Sequence, residues 1–150
     1  MELKIIPVVQ VIIAMLLMKA IQQLLPNFNY IMSHSFSLVS LLTALAVIIG
    51  VMAVYSFRKH QTTVNPSKPE SSSKVVNTGI YHFSRNPMYL AMLLALVAFA
   101  FHLQNFLTFG VCVIFVGYIT KYQIIPEERM LSQLFGEEYL KYQRQVRRWL

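Results

Sequence analysis

Thr78-Gly79-Ile80-Tyr81-His82-Phe83-Ser84-Arg85-Asn86-Pro87-Met88-Tyr89 lies where a polar loop re-enters the apolar part of the chain. Gly79 permits a backbone turn that a residue with a Cβ resists. Pro87 suits the first turn of a helix and Asn86 before it is a good N-cap. The stretch reads as loop, turn and helix start, with Tyr81, His82, Arg85 and Tyr89 gathered at the entry. A helix start presents free N–H groups and a partial positive charge, and Arg85 beside it would make the spot suit an anionic group. The same residues also fit interfacial anchors, which are common at membrane boundaries.

Working outward, the chain of 150 residues is 56% hydrophobic and 13% charged, with a mean hydropathy of +0.53. A soluble domain carries roughly 25% charged residues, so this one lacks the polar surface to coat itself in water. An all-α integral membrane fold is expected, as a single domain over residues 1–150. Four spans follow from the apolar runs: about 5–25, 36–57, 87–103 and 106–125. The third is close to the practical minimum of about 17 residues, and His102-Leu103-Gln104-Asn105 leaves room only for a tight hairpin with the fourth. Gln10, Lys19, Gln22 and Gln23 interrupt the first, with Lys19 expected to snorkel to the interface. No small-residue cleavage pattern follows that segment, so it is expected to stay as a span.

Charge placement agrees with these spans. The connections Pro26 to Ser35 and His102 to Asn105 carry no charged residue, whereas Arg58, Lys59, Lys68, Lys74 and Arg85 follow the second span. Lys121, Arg129, Lys141, Arg144, Arg147 and Arg148 lie at or after the end of the fourth. Positive residues stay on the cytoplasmic side, so both termini and the central loop are expected in the cytosol. The net charge of +7 is thereby explained by topology, and no nucleic-acid partner is expected. The loop Arg58 to Asn77 has the composition of a linker, although loops of that length are often functional. Thr62-Thr63-Val64 within it fits a short extended piece.

Beyond Pro126-Glu127-Glu128, a helical tail is expected over 127–148. Leu131, Leu134, Phe135, Tyr139, Tyr142 and Val146 recur at three- and four-residue spacing, an apolar stripe on a basic helix. Gly136 should break it, and Glu137-Glu138 suit a second helix start. Such a piece lies in the interface or folds over the cytosolic mouth of the bundle. Glu127 and Glu128 either complement a helix dipole or serve as counter-charge to a cation at the membrane surface, opposite Arg85.

Much chemistry is missing. The isolated glycines exclude a dinucleotide or phosphate-loop fingerprint. His34 and His102 fall on the outer side, His60 and His82 on the inner, so no shared metal site is expected. The one cysteine, Cys112, sits in an apolar run. Catalysis would have to work by positioning and electrostatics on an already activated substrate or cofactor.

The combination Thr78-Gly79-Ile80-Tyr81, Ser84-Arg85-Asn86-Pro87-Met88-Tyr89, Glu127-Glu128 and Phe135-Gly136-Glu137-Glu138-Tyr139-Leu140-Lys141-Tyr142 resembles the isoprenylcysteine carboxyl methyltransferase family. That family belongs to a wider group of membrane methyltransferases that includes phospholipid N-methyltransferases. The likeness covers about Val75 to Arg148. It implies S-adenosylmethionine-dependent methyl transfer at the cytosolic membrane face. The implied cofactor residues are Ser73, Lys74, Val75, Val76, Tyr81, Asn86, Pro87, Met88, Tyr89 and Glu127. Arg85 is implied near the reacting groups, and Gln123, with Lys121 nearby, on the substrate side. The implied acceptor is a carboxylate, an amine or a thiol; a carboxylate needs no base, and for an amine Glu128 or His82 would be the candidates. The implied partners are a lipophilic small molecule or lipid and the membrane lipids themselves. Asn86 stands where the prenylcysteine enzymes carry histidine, and Ala91 where glycine is common. These departures resemble small prokaryotic-type members, and so imply a prokaryotic inner membrane. Two other classes compete. A small transporter calls for an acidic residue within the membrane, yet all six acidic residues fall outside the expected spans. A non-catalytic four-helix membrane scaffold would keep the fold without the chemistry.

Overall fold

The computed structural model describes residues 6–59 and 75–150. Helix α1 spans Pro7–Leu24 and α2 spans Ser35–Lys59. A 3₁₀ turn at Gly79–His82 leads into α3, Pro87–Leu103. Helix α4, Thr108–Ile119, runs through a π-helical turn, Thr120–Ile124, into α5, Ile125–Phe135. Helix α6 is Glu137–Gln145. Among the described residues there is no strand, only a single bridge between Asn29 and Asn105.

The third apolar segment begins and ends where the sequence places it, because Pro87 fixes one end and Gln104 adopts a left-handed conformation (φ 49°) at the other. The second is longer than expected and the first shorter. Among the described residues, three helical stretches are long and apolar enough to cross a membrane: Pro7–Leu24, Ser35–Ser56 and Thr108–Phe135. Pro87–Leu103 is apolar but shorter. The expected stop of the fourth segment at residue 125 is not observed; the helix continues past Pro126 to Phe135. Proline deletes one backbone N–H, and the widened π turn just before it lets the rod absorb that loss without breaking. Glu127 and Glu128 therefore ride on the same helical rod as α4. The break comes at Gly136, whose φ of +53° turns the chain into α6.

Helix α3 is the central element, packed on α2 and also touching α1 and α4. Its packing with α2 is close at Gly50, where a built Cβ would sit 3.7 Å from Ala91 Cβ. The main core joins Met18 of α1, Tyr89, Leu96 and Ala100 of α3, and Cys112, Phe115, Ile119 and Ile124 of the fourth rod. Trp149, at the chain end, packs against it. Apolar side chains on the outer surface of α1 and α2, such as Ile12, Leu16, Val47 and Val51, stay exposed, as suits helices solvated by lipid.

One end of the bundle is closed by amides. Asn105 is fully buried; its Nδ2 donates to Leu25 O at 3.0 Å and to Asn29 Oδ1 at 2.7 Å. Backbone bonds from Tyr30 N to Gln104 O and from Phe106 N to Phe28 O lace the two uncharged connections together. The opposite end collects Arg58 and Lys59 at the end of α2, Arg85 before α3 and Lys121 after α4, so these four share one end of the bundle. Lys19, near the uncharged end, is exposed and donates to Gln22.

Candidate functional site

At the basic end, Gly79 holds φ +63° and opens the 3₁₀ turn that carries Tyr81. Tyr81 is buried against Ala53 and Val76, with Ile80 and Met88 packed alongside. Its carbonyl accepts from Tyr142 Oη at 2.6 Å, which ties the turn to α6. Tyr139, Tyr142 and Val146 form a second cluster with Val75, Leu131 and Phe135 packed on it. The tail stripe thus folds onto the rest of the protein, apart from Leu134, which is exposed. Burial pushes the Tyr139 phenol up to about 12 and holds those of Tyr81 and Tyr142 above their ordinary value. All three are therefore neutral at pH 7 and can donate hydrogen bonds.

The left-handed backbone at Gly79 costs a residue with a Cβ about 1–2 kcal/mol. A Cβ there would also meet Ser56 Oγ at 3.3 Å, and that hydroxyl is pinned by its bond to Met52 O at 2.9 Å. At Gly136 a Cβ meets nothing within 4 Å. Gly79→Ala should therefore lower the thermal midpoint in detergent, and by less in a Ser56→Ala background than in the unaltered one. Equal losses would mean that the contact with Ser56 carries no weight.

Arg85 is the centre of the charged group. Its Nη2 lies 3.1 Å from Glu128 Oε1, and both side chains are about 10% exposed (10% and 11%). Arg148 grips the same carboxylate with two prongs, Nε to Oε1 at 3.0 Å and Nη2 to Oε2 at 2.7 Å. The hydrogen bonds to Glu128 push the Arg148 guanidinium further above its usual range. With Arg148 occupying the carboxylate, Arg85 Nε and Nη1 remain buried without a hydrogen-bond partner among the described residues. Beside them Tyr89 Oη donates to Glu127 Oε1 at 2.5 Å.

The chain end is stitched over this group. Arg85 N donates to Arg147 O at 3.1 Å, Asn86 Nδ2 to Arg148 O at 2.9 Å, and Trp149 Nε1 to Thr120 Oγ1 at 3.3 Å. Asn86 occupies the N-cap position of α3 but makes no side-chain cap bond. The expectation of an ordinary cap is thus corrected: the side chain satisfies a carbonyl of the tail instead, and Ser84 Oγ accepts from Asn86 N at 3.1 Å.

Of the residues singled out in the sequence, Tyr81, Arg85, Asn86, Pro87, Met88, Tyr89, Glu127 and Glu128 fall in one neighbourhood, with Val75 and Val76 packed at its edge. Gln123 is buried within the π turn, whereas Lys121 is exposed with its Nζ 5.4 Å from the Tyr122 ring centre. His82 is exposed beside Phe83. Ser73, Lys74 and Thr62-Thr63-Val64 lie outside the described residues. Sequence reasoning missed Arg148, which looked like one more basic residue of the tail, and no local pattern links it to a glutamate 20 positions earlier.

A family model described as phospholipid methyltransferase matches residues 34–138. An uncharacterized protein of Haemophilus influenzae is 44% identical over 63 residues, 42% of this chain and 100% of that protein. The protein-S-isoprenylcysteine O-methyltransferase of Saccharomyces cerevisiae is 30% identical over 126 residues, 79% of this chain but only 51% of the yeast protein. The chain thus spans about half the length of that characterised relative. No solved structure matches. The matched segment takes in α2, the turn at Gly79, α3, and the rod with Glu127 and Glu128, which is the frame of the charged group apart from Arg148; the chain belongs to the phospholipid methyltransferase family and is an integral membrane methyltransferase.

Proposed function

We propose that the protein transfers a methyl group from S-adenosylmethionine to a lipophilic or amphiphilic acceptor at the cytosolic face of a bacterial-type inner membrane, with Pro87–Leu103 as a fourth, short span. The observation that carries this is that Arg85 Nε and Nη1 are buried with no hydrogen-bond partner among the described residues. A buried donor without an acceptor costs about 1–3 kcal/mol, and an anion placed there removes that cost. The carboxylate of the methyl donor is such an anion.

The remaining residues fit the rest of that molecule. Glu127, oriented by Tyr89, suits a ribose hydroxyl or the ammonium group. Tyr81 and Tyr89 suit the adenine ring or the positively charged sulfur. Bound there, the donor supplies a methyl group already activated by the sulfonium, so the protein's part is to orient an acceptor in line and to exclude water. Glu128 has both oxygens engaged by guanidinium groups, an arrangement for anchoring rather than for taking a proton from an amine. An apolar cleft of about 120 Å³ between α1 and α4, lined by Gln10, Ala14, Leu17, Phe115 and Tyr118, suits the hydrocarbon part of the acceptor. Tyr118 stands two residues before the π turn, so this part of the cleft lies toward the end of the bundle that carries the charged group.

Purified protein incubated with methyl-labelled S-adenosylmethionine and total bacterial membrane lipid should yield a labelled, organic-extractable product. Binding of the donor without any label transfer to lipid would favour a non-catalytic scaffold.

A further inference from the structure

We propose that Arg148 is a positioning residue: by occupying Glu128 with two prongs it keeps the remaining N–H groups of Arg85 free for the anionic end of the methyl donor. This rests on the reading above, in which Arg85 binds a carboxylate. Arg148 lies ten residues beyond the end of the family match at residue 138, and it touches Glu128 rather than the proposed ligand.

The inference follows from the competition for one carboxylate. Glu128 takes a single contact from Arg85 and two from Arg148. Paired guanidinium and carboxylate groups prefer the two-pronged geometry. Without Arg148, Glu128 Oε2 loses its hydrogen bond from the tail, and Arg85 becomes the counter-ion drawn onto both oxygens. Its Nε or Nη1 would then be spent on Glu128. The local charge points the same way. Arg85, Arg148 and Glu128 sum to +1, and removing Arg148 makes the sum zero. Removing the charge of Glu128 as well returns it to +1, with Glu127 unchanged throughout. Arg148 is held in place by the tail, whose carbonyls at 147 and 148 accept from Arg85 N and Asn86 Nδ2.

The test is the affinity for S-adenosylhomocysteine, read by isothermal titration of detergent-solubilised full-length protein. Arg148→Ala should weaken binding roughly tenfold, the size of one charge-assisted hydrogen bond. Arg148→Lys keeps the charge without the second prong and should lose less. The double variant Glu128→Gln with Arg148→Ala should bind more tightly than Arg148→Ala alone, because nothing then pulls on Arg85. A purely structural role for Arg148 predicts the reverse, since the double variant has lost one more contact. Unchanged affinity in Arg148→Ala, or no recovery in the double variant, overturns the inference. If Arg148→Ala cannot be recovered folded, Arg148→Lys and the double variant still decide it. Absence of binding by the unaltered protein would bring down the proposed function first and this inference with it.

Discussion

Arg85→Ala should weaken S-adenosylhomocysteine binding roughly 100-fold, about 2.7 kcal/mol, while leaving the fold largely intact. The size follows from losing a buried charge-assisted hydrogen bond, worth about 1.5–3 kcal/mol, from either Nε or Nη1, which lie on different edges of the guanidinium. The fold should survive because Glu128 keeps its two bonds from Arg148, so no buried carboxylate is stranded. Arg85→Lys should recover little, since an ammonium cannot reproduce the planar fork. The choice of ligand sharpens the test. 5′-Methylthioadenosine has the adenine and ribose but no amino-acid end, so its affinity should be nearly the same in both proteins. An equal loss for both ligands would mean that Arg85 shapes the site without touching a carboxylate.

The second large effect is expected at Glu127. Glu127→Ala removes the acceptor of the Tyr89 hydroxyl and a carboxylate aimed at the donor, and should weaken S-adenosylhomocysteine binding by roughly 30-fold. Glu127→Gln retains an oxygen that can accept from Tyr89 but loses the carboxyl group, and should fall between. Tyr89→Phe leaves the carboxylate in place without its 2.5 Å bond, so it should cost less than Glu127→Ala. These comparisons are made by titration at one pH and salt, with thermal midpoints measured alongside. Should Tyr89→Phe prove as damaging as Glu127→Ala, the tyrosine itself would be the contact and the glutamate its support.

The frame of this site could be read from the sequence because its signals are local. Apolar runs of sufficient length, Pro87 at a helix start, Gly136 at a break and the one-sided basic residues each act within a few positions. The match between residues 87–103 and the observed α3 follows from two such stops. What stayed hidden depends on pairs distant in the chain. Asn105 reads as part of a short polar connection, yet it is the buried amide that fastens α1 to the α3–α4 hairpin. Asn86 reads as a cap and instead reaches a carbonyl 62 residues away. The end of the fourth segment was misplaced because Pro126 suggests a stop, whereas the π turn before it carries the helix through. Burial of Glu128 between two arginines has no periodicity to reveal it, so Arg148 was indistinguishable from Arg144 and Arg147 until the chain was folded.

That folding also sets a tail rich in basic residues against the charged group. Its apolar stripe packs on Val75 and the turn at Tyr81, and its last residues bring main-chain carbonyls to Arg85 and Asn86. The charged group therefore draws on three separate parts of the sequence: the entry to α3, the rod after the π turn, and the chain end.

The most direct measurement of the central claim is a titration of the detergent-solubilised protein with S-adenosylhomocysteine. The expected result is saturable heat at one site per chain, reduced to the limit of detection in Arg85→Ala. No heat and no shift in thermal midpoint with the unaltered, folded protein would contradict it.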